Sequence, residues 1–68
     1  MKKRTLSPLQ IIITELLCQG MSTKEVAEYL QIGESTTQNI ISAIMLKTGT
    51  KTRAELTAKA VKQNLVNV

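Results

Sequence analysis

The sequence predicts an all-α domain of four helices, and three observations carry that prediction. The first is composition: one Tyr and no Phe or Trp leave Ile, Leu, Val, Met and Ala to build the core, which favours packed helices over a sheet sandwich. The second is a recurring spacing in which Ser or Thr is followed three residues later by Gln or Glu, the signature of a capping box at a helix start. The third is a set of apolar residues repeating at i, i+3, i+4 and i+7. At 68 residues the chain is one domain, too small to hide a substrate cavity, so its function must sit on its surface.

Ser7-Pro8-Leu9-Gln10 supplies an N-cap Ser, a Pro at the first helical position and a Gln able to close a capping box. The first helix is expected from about Pro8 to Gln19, ending at Gly20 in a left-handed C-cap. Leu9, Ile13, Leu16 and Leu17 form its inward stripe. Ile11 and Ile12 add apolar width beyond that stripe, which is either partial burial at its edges or a sticky contact surface. Ser22-Thr23-Lys24-Glu25 is a second capping box, opening a short helix through Val26, Ala27 and Leu30. Gln31-Ile32-Gly33 ends it, and Gly33 is expected to permit the sharp change of direction. The next helix begins within about three residues, the spacing of a helix-turn-helix. Ala27 is small where the two arms approach, and Ile32 can plug the gap beneath the turn.

The third helix spans Glu34 to Lys47, with Thr37, Ile40, Ile41, Ile44 and Thr48 on one buried face at helical period. Ser35, Gln38, Asn39 and Ser42 form the opposite stripe, which no apolar residue interrupts before Leu46. A solvated helix face usually carries Lys and Glu, whereas these side chains are uncharged and can pair with the edges of bases. Standing alone, the stripe reads better as an ordinary solvent face that lacks charge; the helix and turn before it favour base reading. Thr52-Arg53-Ala54-Glu55 is a third capping box, opening a fourth helix from about Arg53 to Gln63, with Leu56, Ala60 and Leu65 inward. Thr57, Ala58 and Val61 make a second, milder apolar strip on it. That strip is either a free helix face or a dimer contact, the usual way a small DNA reader gains affinity.

Nine Lys and Arg against five Asp and Glu give a formal charge of +4, and the pI near 9.6 points to an anionic partner, most commonly nucleic acid. Lys2, Lys3 and Arg4 fall in a basic tail over residues 1–5, ahead of a domain over 6–68, and Lys47, Lys51 and Arg53 cluster at and just after the end of the third helix. Such clusters grip phosphates or simply solubilise. There is no His, no metal-ligand cluster and no phosphate-cradling glycine loop, so an enzyme, a cofactor, a metal site and a small-molecule substrate are not expected. Cys18 is the only cysteine, which suits a reducing setting, and it reads as a small core residue with no His to activate it. No apolar run approaches the length of a membrane span and no signal-peptide core precedes Pro8, so the expected location is the cytoplasm.

Together these residues resemble the LuxR/GerE-type DNA-binding domain, a four-helix fold found at the end of many bacterial response and quorum-sensing regulators, and occasionally alone. The resemblance runs from Leu6 to Val66. Leu6-Ser7-Pro8 is similar to the family's opening, and Leu17-Cys18-Gln19-Gly20 to the stretch before its second helix. The most specific run is Ser22-Thr23-Lys24-Glu25-Val26-Ala27-Glu28-Tyr29-Leu30-Gln31-Ile32, followed by Ile44, Lys47, Gly49 and Arg53-Ala54-Glu55 at the closing positions. The resemblance implies that Gln38, Asn39 and Ser42 face bases in the major groove. It also implies that Lys24, Thr36, the backbone side of Ala43 and Lys47 lie near phosphates. Ser35 extends the base-facing set along the polar stripe, and Tyr29 can either donate to a phosphate or cover the second helix.

The chain departs from the family's pattern in three places. Leu9, Gln10, Ile11 and Ile12 stand where the family usually has charged residues, and Thr37, Ile40 and Thr48 where it usually has Val, His and Leu. Gln38 and Ser42 stand where many members carry Lys or Arg. The leading expectation is a transcriptional regulator that binds double-stranded DNA as a homodimer, with residues 34–47 as its recognition helix. The alternative is a protein-interaction module that pairs with another regulator or with RNA polymerase through the first or fourth helix.

Overall fold

Four helices, α1 (Pro8–Cys18), α2 (Thr23–Leu30), α3 (Glu34–Thr48) and α4 (Arg53–Lys62), follow one another through short turns, and a computed structural model describes residues 6–63 of the chain. No strand occurs among the described residues. Two of the three capping boxes close as the spacing predicts. Ser7 accepts from the Gln10 amide while its own amide donates to Gln10 Oε1 at 2.9 Å. Ser22 and Glu25 make the same reciprocal pair, with the Ser22 amide 2.8 Å from Glu25 Oε1. The third box closes by half: Thr52 accepts from the Glu55 amide, but the Glu55 carboxylate reaches one residue further back, to the Lys51 amide at 2.7 Å. That amide lies in the α3–α4 turn, so the carboxylate pins the turn as well as facing the positive end of α4.

Three helices end in the same closure, a left-handed residue whose successor's amide reaches back five residues. Gly20 (φ 92°), Gln31 (φ 59°) and Gly49 (φ 71°) are the left-handed residues. The returning bonds are Met21 to Leu16 at 3.2 Å, Ile32 to Ala27 at 3.0 Å and Thr50 to Met45 at 3.0 Å. The reversal between α2 and α3 is therefore made at Gln31 and not at Gly33, which is extended (φ −68°, ψ 151°) and serves as the N-cap of α3. A Cβ at Gly33 would meet only ordinary contact with Thr36 Oγ1 at 3.7 Å. Gln31 carries the strain instead, because a left-handed backbone brings its Cβ against the following carbonyl. Gln31→Gly is expected to stabilise the domain by about 0.5–1 kcal/mol, the relieved strain less the entropy of a freer unfolded chain. Thermal unfolding of the two proteins checks it, with a rise of a few degrees expected.

α1 packs against each of the other helices, and α3 does likewise. Their shared core is Ile13, Leu16 and Leu17 of α1, Val26 of α2, Ile41 and Ile44 of α3, and Leu56 of α4, with Ala27 and Ala60 filling the close approaches. The buried face of α3 is as expected, except that Ile40 is only half-buried at its edge. On α1 the stripe is rotated. Leu9 in the first turn is 44% exposed, Leu6 packs on the core from outside the helix, and Thr14 is buried in place of an aliphatic residue. Thr14 tolerates this because its hydroxyl donates to the Gln10 carbonyl at 2.8 Å. Thr37 and Thr48 do the same toward Gly33 and Ile44, so each buried hydroxyl is satisfied within its own helix. Cys18 is half-buried rather than a core residue. Burial first, and the nearby Glu15 charge second, push its thiol above the ordinary range, which keeps it protonated and a poor nucleophile. Leu65, expected to face inward, and the basic residues Lys2, Lys3 and Arg4 lie outside the described residues.

Candidate nucleic-acid interface

α3 owes its exposed face to the way its opposite side is consumed. Thr37, Ile41, Ile44 and Thr48 are drawn into the core, and the helical period then turns Ser35, Gln38, Asn39 and Ser42 outward together, all exposed. Leu46, 78% exposed, continues the same face one turn on. Glu34 is the one acidic residue in the first turn of α3, where it suits the helix dipole. A shallow groove of about 370 Å³ runs between the N-terminal ends of α2 and α3, lined by Thr23, Glu34, Ser35 and Gln38.

Around this face the expected phosphate-side residues are distributed over two helices. Lys24, near the start of α2, and Thr36, in the first turn of α3, are exposed. Tyr29 projects from α2 with 65% of its surface in solvent, so its ring covers little of that helix. Lys47, at the end of α3, is exposed but bound: its Nζ donates to Gln10 Oε1 at 2.9 Å. The same oxygen accepts from the Ser7 amide, so the capping box of α1 also holds the last turn of α3. A lysine there also suits the negative end of the helix. At the same end of α3, Lys59 of α4 donates to the Thr48 carbonyl and so satisfies one of the last carbonyls of the helix. Of the α4 strip, Ala58 and Val61 are exposed and Thr57 is half-buried, beside Leu17, Met21 and Arg53.

Two residues outside the expected set belong to this surface. The Arg53 guanidinium, half-buried at the start of α4, donates to the Thr23 hydroxyl of α2. Thr23 in turn lies 3.4 Å from Gln38 Oε1, and Gln38 Nε2 lies 3.4 Å from Ser42 Oγ. Arg53 is thus committed to a contact inside the domain rather than being one more solvated cation of the basic cluster. The only sequence signals were that Thr23 and Arg53 each occupy the first position of a capped helix; their meeting is a property of the fold.

Two short helices joined by a tight turn, the second presenting an uncharged hydrogen-bonding stripe with its back buried on a third and fourth helix, define a helix-turn-helix domain. The chain matches the family of bacterial regulatory proteins of the luxR type over residues 4–60, and it belongs to that family. Among solved structures, a response regulator, ChrA, from a heme-sensing two-component system matches with 31% sequence identity and a TM-score of 0.88, covering 96% of this chain and 32% of that protein. The transcription factor GerE matches with 27% identity and a TM-score of 0.83, covering 91% of this chain and 92% of GerE. The chain therefore spans about a third of the response regulator and nearly all of GerE. Among curated protein sequences no significant match is found. The family is one of DNA-binding transcription regulators, not of enzymes, and DNA binding in transcription regulation is the general role that membership assigns. No helix among the described residues is long and apolar enough to cross a membrane.

Proposed function

We infer that the chain is a sequence-specific regulator that inserts α3 into the major groove of double-stranded DNA. Ser35, Gln38, Asn39 and Ser42 meet base edges, and Lys24, Thr36, Tyr29 and Lys47 lie along the phosphates. The observation that carries this reading is the exposed face of α3, on which four uncharged donor–acceptor side chains stand together, as base recognition requires. The working unit is a homodimer formed through Thr57, Ala58 and Val61 of α4, with the domain extending over residues 6–68 and the basic tail 1–5 adding phosphate contacts. A second subunit answers a shortage of charge, since the base-facing stripe holds no Lys or Arg and affinity for DNA grows with the number of neutralised phosphates. The cytoplasm is the matching location. Titration of labelled duplexes of varied sequence at several salt concentrations tests the reading. Binding that weakens steeply with salt is expected; its absence with folded, concentrated protein removes the proposal.

A second reading is favoured by one observation. Leu9 and Ile12 leave an exposed apolar pair, one turn apart on α1, with Ile12 42% exposed. Such a pair suits a protein contact, and the module would then join another regulator or RNA polymerase. A mass measurement in solution separates the readings, because a strict monomer that ignores DNA points to a different protein partner.

A further inference from the structure

We propose that Arg53 and Thr23 are positioning residues for the base-reading face, acting through one directed chain of hydrogen bonds from Arg53 to Thr23, Gln38 and Ser42. The proposal rests on the reading of α3 as the DNA-facing helix, and it adds which residues set its specificity. The chain joins side chains of three helices, α2, α3 and α4. α2 and α4 have no backbone packing against each other among the described residues, so the Arg53 side chain is the bridge between their starts.

The direction of the chain follows from what each group can donate. A guanidinium has donors and no acceptor, so the Thr23 hydroxyl must accept from Arg53 and its single proton is left for another partner. Gln38 Oε1, at 3.4 Å, is the acceptor in place. Turning the carboxamide over would take the acceptor away from the Thr23 proton. Gln38 is therefore held with its oxygen toward Thr23 and its nitrogen toward Ser42 Oγ, at 3.4 Å. Ser42 accepts at that point, which leaves its own proton for another partner.

The consequence is a reading face with assigned polarity. Gln38 keeps one free lone pair and one free N–H, the acceptor and donor that adenine's N6 amino group and N7 call for. Ser42 keeps its donor proton for guanine O6 or N7 or thymine O4, together with one further lone pair. The anchored end is sheltered, with Arg53 and Thr23 half-buried, while Gln38 and Ser42 are exposed. The bond to the cation is charge-assisted and therefore the firmest of the three. Holding a long side chain before DNA arrives reduces the ordering cost of binding.

Selection from random-sequence duplexes, run in parallel on the natural protein and its variants, tests the proposal. Thr23→Val keeps the shape and removes the hydroxyl; Arg53→Ala removes the anchor. Both are expected to lower the preference at the base pair lost in Gln38→Ala by about three- to tenfold, the worth of one hydrogen bond. Thr23→Val removes no charge, so its salt slope on non-selected duplexes should match that of the natural protein. Thr23→Ser should restore the preference, and Thr23→Val should add nothing in a Gln38→Ala background. The side-chain amide resonances of Gln38, read by NMR without DNA, should move in Thr23→Val at an unchanged melting temperature. The proposal is overturned if Gln38→Ala flattens one position while Thr23→Val and Arg53→Ala leave it intact, or if those resonances stay in place. If Gln38→Ala flattens nothing, the base-reading role of Gln38 itself falls, and the role of the chain falls with it.

Discussion

Ile41→Ala is expected to cost about 3 kcal/mol and to leave much of the population unfolded at physiological temperature. Ile41 is fully buried at the meeting of α3 with the other helices, and truncating such a residue loses its transfer energy and leaves a cavity. A domain of this length has roughly 3–10 kcal/mol in hand, so one core methyl cluster is a large share of it. The melting temperature should fall on the order of 15 °C. Ile40→Ala, one residue along but only half-buried, should cost a fraction of that. Thermal or urea unfolding of both variants checks the contrast, and equal losses would contradict the register assigned to α3.

Lys24→Ala and Gln38→Ala are expected to damage DNA binding in two different ways. Lys24 is exposed near the start of α2, and its proposed partner is a phosphate. Its loss should weaken every duplex similarly and lower the salt slope by about one. Gln38→Ala should leave non-specific affinity and the slope nearly alone while costing about 1–3 kcal/mol at one base pair. Titrations of matched and mismatched duplexes at several salt concentrations separate the two patterns. Base-selective loss in Lys24→Ala, or uniform loss in Gln38→Ala, would reverse the assignment. Lys47→Ala gives a mixed result by construction, because that side chain also holds Gln10 and hence the start of α1.

Much of this arrangement was legible because it is local. Ser7 with Gln10 and Ser22 with Glu25 announce helix starts within three residues, and those caps form as spaced. The two faces of α3 follow from its period alone. What escaped is either a choice between near-equal local options or a meeting of distant residues. Gly33 is the obvious place for a reversal, yet the left-handed residue is Gln31, where the Ile32 amide bonds back to Ala27. Leu9 has the spacing of a core residue but sits in the first turn of α1, where Leu6 packs on the core in its stead. Thr14 reads as polar until its bond to the Gln10 carbonyl is seen. Arg53 reads as one of a basic cluster because Thr23, thirty positions away, becomes its neighbour only in the folded chain.

The central claim is that α3 reads the major groove as one half of a two-fold pair. Selection of bound sequences from random duplexes by the natural protein tests it most directly. The expected product is an inverted repeat, its half-sites about one helical turn apart, with base preference concentrated where Gln38, Asn39 and Ser42 would lie. A pool that remains unenriched with folded protein in excess would contradict it.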